Sequence, residues 1–280
     1  MKSQIETITP KRAMEYLENN TSNRKLDMRH IEFLARQMTN GSWIDNGDSI
    51  KFTESGVLSD GQHRLYAIAK SGKPQTVVVV KNLHEDAFKT IDVDRKPRNL
   101  STIFDLEGFK NTTALAAILR MVSRFLPDGN YSENFSRLST ADAEEILQSF
   151  PELFDWARIY ANSKLFATSP LANSMLVGCA IIFGRSNWGR TSPLEFVKMV
   201  ATGEGLNKHD PALTLRNRVL RVRMSGATPA RKETIGMIIK AWNYEQEGKP
   251  LSSISPHAQL QRVRALPKDW ANPKKAEHPE

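Results

Sequence analysis

The segment with the clearest chemical potential covers residues 56–69 and reads GVLSDGQHRLYAIA. It predicts a short strand that ends at Asp60-Gly61 and a helix that begins at once with His63 and Arg64. Glycine lets the backbone approach a ligand closely. The first N–H groups of a helix then point at that ligand, and the helix dipole favours an anion there. We therefore predict that this turn binds a phosphate group.

The side chains around the turn could complete such a site. Arg64 can bind phosphate oxygens through two parallel hydrogen bonds, and His63 can donate to another oxygen. Asp60 would lie beside the phosphates, where a carboxylate can hold Mg²⁺ or accept a proton. Gly-x-x-Arg is a weak pattern by itself. The alternative is a turn glycine followed by an amphipathic helix with solvated polar residues.

A second charged segment, residues 90–98, reads TIDVDRKPR. Asp92 and Asp94 alternate with apolar residues, so both carboxylates would face one side of an extended chain. Paired carboxylates can bind a divalent cation, and Arg95 and Arg98 could neutralise phosphate. The alternative is a charged loop whose aspartates pair with its own cations.

The first part of the chain, residues 1–98, reads as mixed α/β. Thr9-Pro10 predicts the start of one helix and Asp27 caps the next. The β-branched run at 76–80 predicts a strand buried on both faces. The predicted elements are a strand at 5–9, helices at 11–18, 28–39 and 65–70, a hairpin of 49–53 with 57–59, and the strand at 76–80.

From residue 99 onward, apolar residues recur at helical spacing. Ser139 and Ser192 each begin a helix with an acid in its first turn. The predicted helices are 115–126, 141–150, 153–161, 171–183, 193–200, 212–224 and 231–247. We predict an α+β protein with a small α/β domain at 1–108, an all-α domain at 109–255 and a basic, flexible tail at 256–280.

The order of the N-terminal elements resembles the ParB/sulfiredoxin superfamily. The matching features are the helix at 28–41, the strands at 49–53 and 57–59, the box Gly61-Gln62-His63-Arg64, Gly72 and the strand at 76–80. In ParB a Gly-Glu-Arg-Arg box binds the triphosphate of CTP, and in sulfiredoxin a Gly-Cys-His-Arg box binds ATP phosphates. Related free-serine kinases carry Asp-Gly-His-His-Arg. Asp60-Gly61-Gln62-His63-Arg64 is more similar to the last two.

The resemblance implies further site residues and also has limits. ParB-type domains place a phosphate- or base-contacting arginine where Asn23-Arg24 lies, so these two residues are expected to close the pocket. Asp92 and Arg95 would add outer contacts. Gln62 stands where sulfiredoxin has its catalytic cysteine, so sulfinic-acid reduction is not expected. Gln62-His63 replaces the ParB Glu-Arg pair, which argues against CTP hydrolysis coupled to DNA clamping.

The overall charge points to a polyanionic partner. The 280 residues carry 39 Lys+Arg against 31 Asp+Glu, a net charge of +8, and cations bind nucleic acid by displacing counterions from phosphates. The densest basic run is Arg216, Arg218, Arg221 and Arg223, which could lie on a DNA backbone. The alternative is a solvated helix face beside a core stripe.

Other sequence features limit the class of protein. The single cysteine, Cys179, rules out a disulfide within the chain and lies in an apolar run, so a buried structural thiol is expected. We find no signal-peptide pattern and no apolar run long enough to span a membrane. We expect a cytoplasmic protein.

These observations predict a nucleotide-binding, DNA-associated protein of the kind found in phages and plasmids, using CTP or ATP with Mg²⁺. The alternatives are a phosphotransferase or a metal-dependent nuclease in the same pocket, or a degenerate domain kept for macromolecular contact. A homodimer is a further possibility. Phosphate binding is assigned to Asn23, Arg24, Gly61, Gln62, His63, Arg64 and Arg95, catalysis and metal binding to Asp60 and Asp92, and DNA binding to Arg216, Arg218, Arg221 and Arg223.

Overall fold

The computed structural model describes residues 1–21, 23–91, 98–126, 128–133, 138–162, 164–255 and 262–271. The chain divides into two compact units, Met1–Pro97 and Arg98–Glu280. The first is mixed α/β and the second is helical, which agrees with a mixed α+β protein. The boundary between these units, after residue 97, lies earlier in the chain than the boundary predicted after residue 108. The helix Leu100–Leu106, which the periodicity did not reveal, belongs to the second unit.

The first unit contains a four-stranded mixed sheet of order β1-β4-β2-β3. β4 pairs antiparallel with β1 and parallel with β2, while β2 and β3 form the predicted hairpin. The element bounds are β1 Lys2–Ile8, α1 Pro10–Leu17, α2 Met28–Thr39, β2 Ser49–Thr53, β3 Leu58–Asp60, α3 Gln62–Ser71, β4 Gln75–Leu83 and a 3-10 helix at Glu85–Lys89.

Local sequence explains where these helices begin. Thr9 Oγ1 accepts a hydrogen bond from the Arg12 N–H, with Pro10 at the first helical position. Asp27 Oδ1 accepts one from the His30 N–H at the start of α2. Each side chain satisfies a donor that the helix itself leaves unpaired. Both predicted caps are confirmed.

The expectation that the central strand is buried on both faces is wrong. Val77 and Val79 of β4 are buried, whereas Val78 and Val80 are half-buried. The buried valines pack with Ile50 and Phe52 of β2 against a layer of helical side chains that includes Leu34 and Ile68. Alternate residues of a strand face opposite sides of the sheet. A single helical layer therefore buries only one of the two valine sets.

The second unit is built from helices around one core. Their bounds are α4 Leu100–Leu106, α5 Thr112–Val122, α6 Thr140–Ser149, α7 Leu153–Asn162, α8 Asn173–Gly184, α9 Pro193–Thr202, α10 Pro211–Met224 and α11 Arg231–Gln246, with 3-10 helices at Ser123–Phe125 and Lys164–Thr168. The Ser139 side chain and the Asp142 side chain cap α6 reciprocally, as the sequence predicted.

Helix α8 lies at the centre of this core. Every residue from Leu176 to Phe183 is buried, so the helix has no polar face. Cys179 is fully buried, and desolvation raises the pKa of its thiol. This agrees with the expected structural thiol. Among the described residues, no helix is both long and apolar enough to cross a membrane.

Part of the segment expected to be a flexible tail belongs to the helical core. Val263, Leu266 and Trp270 are buried within it, and the Asn243 side chain bonds the backbone of Arg262 and Arg264. Their spacing matches no regular element, so periodicity did not reveal them. The remaining tail positions, 256–261 and 272–280, lie outside the described residues.

Gly178 of α8 packs directly against Met121 of α5. A Cβ at this position would overlap Met121 Cγ, so we expect Gly178→Ala to lower the free energy of unfolding by about 1–3 kcal/mol. Gly184 in the same helix is a matched control, since its Cβ would make an ordinary 3.7 Å contact with Pro193. Gly184→Ala should be neutral or stabilising by up to about 1 kcal/mol. Urea denaturation of both variants measures the difference, and equal effects would contradict this packing.

Candidate functional site

The turn between β3 and α3 depends on Gly61. Its φ of +100° is in the left-handed region, and a Cβ there would lie 2.5 Å from Ile50 Cδ1 and 3.3 Å from Ile50 Cα. Both the backbone conformation and the contact with β2 therefore require glycine. Helix α3 begins immediately afterwards without a side-chain cap.

This arrangement leaves helix donors without intrahelical acceptors. The first α3 hydrogen bond runs from the Leu65 N–H to the Gly61 carbonyl, at 3.0 Å. The preceding N–H groups, those of Gln62, His63 and Arg64, have no acceptor within the helix. Residues 61–64 line a cleft of about 650 Å³ within the first unit. The predicted strand–glycine–helix turn is thus at a concave surface.

The Gln62 side chain joins α3 to the loop before α2. It is almost fully buried. Its Oε1 accepts a hydrogen bond from Asn20 Nδ2 at 3.2 Å, and its Nε2 donates to the Arg24 carbonyl at 2.8 Å. Both ends of the amide are therefore used within the protein. Gln62 was predicted to contact phosphate, but its side chain instead positions the loop that carries Arg24.

His63 forms the second connection, to the start of α2. The residue is 8% exposed, and its Nε2 accepts a hydrogen bond from the Asp27 N–H at 3.0 Å. An accepting Nε2 places the ring proton on Nδ1. The pKa of His63 is lowered, first by desolvation and then by the positive charges of His30 and Arg24. The neutral ring therefore holds α2 and keeps one N–H, at Nδ1, as the donor that was predicted for phosphate.

Arg64 forms the third connection, to the edge of β2. Its guanidinium donates to the Ser49 carbonyl at 2.7 Å and pairs with Asp48 at 3.2 Å and Asp60 at 3.4 Å. Lys51 Nζ lies 2.6 Å from the same Asp60 oxygen. These contacts use three of the five guanidinium N–H groups, so phosphate binding through the other two stays a prediction. Arg64 also positions the start of β2 beneath the turn.

The ion pairs of Asp60 also bear on the predicted metal site. A carboxylate already neutralised by Lys51 and Arg64 is a poor ligand for Mg²⁺, because the two cations repel a third. The described residues include no cluster of three or more His, Cys, Asp or Glu side chains that could hold a metal ion. Asp92, Asp94 and Arg95 lie outside the described residues, so their predicted roles stay predictions.

Asn23 and Arg24 both line the cleft but have different surroundings. Asn23 Nδ2 donates to Asn20 Oδ1 at 2.7 Å and to the Leu58 carbonyl at 2.6 Å, which joins the loop to β3. Arg24 is exposed, and its guanidinium has no partner within the described parts of the chain. Its charge is therefore free to meet an anion in the cleft.

The cleft also contains groups that the sequence analysis did not select. Phe33 and Trp43 are half-buried along one wall, and the Phe33 and His30 rings stack with centroids 6.4 Å apart. The Ser59 hydroxyl is buried without a hydrogen-bond partner among the residues described. Phe33 lies at helical spacing from core residues, and Trp43 follows the end of a helix. Nothing in their local pattern distinguishes them from packing residues.

The arginines of α10, predicted to bind DNA, have different environments. Arg216 donates to the carbonyls of Thr168, Val200 and Ala201. It therefore caps the carbonyl end of α9, where a cation is favourable, and this use of its guanidinium opposes the predicted DNA role. Arg221 and Arg223 are exposed, and Arg218 is half-buried.

Compared with known proteins, the chain matches no family model, no curated protein and no solved structure. The chemistry of the cleft therefore follows from its own residues and distances.

The His63 contact predicts a pH-dependent stability. A folded-state pKa below the unfolded value of about 6.5 means that the neutral ring stabilises the fold above that pH. This stability is lost as the pH falls below 6.5, because the protonated Nε2 cannot accept the Asp27 N–H. His63→Gln keeps an acceptor that does not titrate. Denaturation between pH 8 and 5 should therefore show a smaller loss of stability in His63→Gln than in the wild type, and parallel profiles would contradict the assignment.

Proposed function

We propose that the first unit binds a nucleotide, with its phosphates at the start of α3 and its base beside the aromatic wall of the cleft. The observation that carries this proposal is the uncapped helix start behind Gly61, whose first N–H groups belong to residues that line the cleft. Backbone donors and the positive end of the helix dipole favour a phosphate at this position.

The charge distribution supports an anion at this end. Asp48 and Asp60 pair with Arg64, and Asp60 also pairs with Lys51. Glu85 accepts hydrogen bonds from the backbone and the hydroxyl of Ser55, and the first of these contributes most to lowering its pKa. Each of these carboxylates is thus engaged by protein groups. Arg24 supplies an exposed cation, and Nδ1 of His63 supplies a further donor.

The aromatic residues that line the cleft support a planar group. Phe33 and Trp43 offer aromatic surface, and base–aromatic stacking contributes about 1–3 kcal/mol per base. A cleft of about 650 Å³ lies within the range of small-molecule pockets. The partnerless Ser59 hydroxyl is a buried polar group that a ligand could satisfy. A phosphate end and an aromatic end together favour a nucleotide over inorganic phosphate.

The resemblance to the ParB/sulfiredoxin superfamily supports the same assignment and suggests CTP or ATP. In this proposal Mg²⁺ accompanies the phosphates rather than occupying a protein cage, because Asp60 is neutralised by two cations. The phosphotransferase and nuclease alternatives would use Asp60, Asp92 or Asp94 as a base or metal ligand. The ion pairs of Asp60 oppose that role for Asp60, and Asp92 and Asp94 lie outside the described residues. Nucleotide binding without a metal-dependent step is therefore the function that the geometry supports best.

Arg24 provides the direct test of the phosphate end. We expect Arg24→Gln to weaken nucleotide binding about 10- to 100-fold, the effect of losing a charge-assisted hydrogen bond. Lys25→Gln is the matched control, because Lys25 is the exposed neighbouring cation and does not line the cleft. Calorimetric titration with CTP, ATP and ADP, with and without Mg²⁺, measures both. Absence of binding by the wild type, or equal losses in the two variants, would overturn the proposal.

Trp43 tests the base end separately. Trp43→Leu should weaken nucleotide binding about tenfold or more, because it removes a stacking surface. Its affinity for inorganic tripolyphosphate, which has no base, should stay within about twofold of the wild type. A parallel loss for both ligands would mean that Trp43 supports the shape of the cleft rather than a base. Thermal melts confirm that the variant is folded.

A further inference from the structure

The helical unit contains a second cleft, of about 390 Å³, between one face of α10 and the chain that follows α11. Leu213, Thr214, Asn217, Arg218 and Arg221 form the helix side, and Ser252, Ser253 and Ile254 form the other. The Thr214 hydroxyl donates to the Leu251 carbonyl at 2.6 Å, and the Leu251 N–H donates to the His209 carbonyl at 2.8 Å. These bonds hold the two walls together.

The lining is cationic. Lys208, Arg218 and Arg221 line the cleft together with His209, and none of the described lining residues is acidic. Arg218 and Arg221 are three residues apart on α10, which puts them on one helix face. Neither has an ion-pair partner within the part of the chain that is described, and Arg218 Nε is buried without any hydrogen-bond partner. Because neither positive charge is neutralised by a described residue, both would stabilise an anion bound in the cleft.

We propose that this cleft binds the phosphodiester backbone of a nucleic acid strand. The proposal is separate from nucleotide binding by the first unit, because it uses none of the residues of that cleft. Arg218, Arg221 and Lys208 would neutralise phosphates, and the hydroxyls of Ser252 and Ser253 offer neutral donors. Phosphate contacts of this kind bind without reading base sequence.

The extent of the positive charge favours a strand over a single phosphate. The helix rise of about 1.5 Å per residue makes the cleft wall from Leu213 to Arg221 about 12 Å long. A nucleic acid strand carries a charge every ~3.4 Å of axis, so the wall faces more than one phosphate. From Pro211 to Lys232 the chain has six cationic and no acidic residues. The second unit also carries 24 Lys+Arg against 18 Asp+Glu, compared with 15 against 13 in the first.

The experiment compares two double variants that remove equal charge. Arg218→Gln/Arg221→Gln removes cleft cations. Arg223→Gln/Arg231→Gln removes exposed cations that do not line the cleft. Binding of a fluorescent 20-mer, single-stranded and duplex, is measured by anisotropy at several salt concentrations. We expect the cleft variant to lose roughly tenfold or more in affinity and to lower the salt slope by about two. The control should change by less than about threefold.

Several results would overturn the proposal. Equal losses in both variants would mean diffuse attraction, and absence of binding by the wild type would exclude a nucleic acid site. Competition by inorganic phosphate as strong as that by DNA at equal phosphate concentration would identify a free-phosphate site. Stronger competition by polyglutamate than by DNA would show that the cleft binds an acidic protein instead of nucleic acid. If Arg218→Gln does not fold, Lys208→Gln/Arg221→Gln replaces it, since Arg221 is exposed.

Calorimetry on the same proteins separates the two proposals. Both double variants should retain wild-type nucleotide affinity, since neither alters the first unit. If the wild type binds DNA but no nucleotide, the nucleotide proposal fails and the strand proposal stands. If it binds nucleotide but no DNA, the strand proposal fails and the nucleotide proposal stands. Loss of nucleotide binding in the cleft variant alone would overturn the assignment of the phosphates to α3.

Discussion

The architecture of the first unit depends on the left-handed turn at Gly61. Because no side chain separates this residue from Ile50, α3 can begin directly above β2. The next three side chains then extend into the protein in three directions. Gln62 reaches the loop of Asn20 and Arg24, His63 reaches the start of α2, and Arg64 reaches the start of β2. One backbone constraint therefore sets the position of three walls of the cleft.

The contacts of the Asp-Gly-Gln-His-Arg box differ from those that its sequence predicts. Polar side chains that resemble ligand contacts in sequence are mainly positioning residues in the fold, since their hydrogen bonds end on protein atoms. The groups that remain for a ligand are the backbone N–H groups of the box, Nδ1 of His63, the two guanidinium N–H groups of Arg64 that these contacts do not use, and the exposed Arg24. Buried side chains with satisfied hydrogen bonds hold such donors in fixed positions, which lowers the entropic cost of binding an anion.

In the basic helix α10, too, one charged side chain bonds protein atoms while others remain available to a ligand. Arg216 is used to cap α9, and the following arginines face a cleft or solvent. Helical spacing predicts which residues share a face of a helix. It does not predict which face packs against the end of a neighbouring helix. The Gly203 that ends α9 in a left-handed conformation brings its backbone against the Arg216 side chain, with a would-be Cβ 3.0 Å from Cδ. That tertiary contact decides which arginine is structural.

The sequence by itself determined most of the elements, the caps at Thr9, Asp27 and Ser139, the hairpin and the glycine turn, because each depends on residues close together in the chain. Only the tertiary structure decided which side chains contact one another and which are buried. It showed that one face of β4 is left half-exposed, that Val263, Leu266 and Trp270 join the helical core, and that Asp60 is neutralised by Lys51 and Arg64. Lys51 and Arg64 are only nine and four residues from Asp60, but the pairing of β2 with β3 and the turn at Gly61 bring their side chains to it. Burial likewise depends on which elements pack together, and local periodicity does not encode that packing.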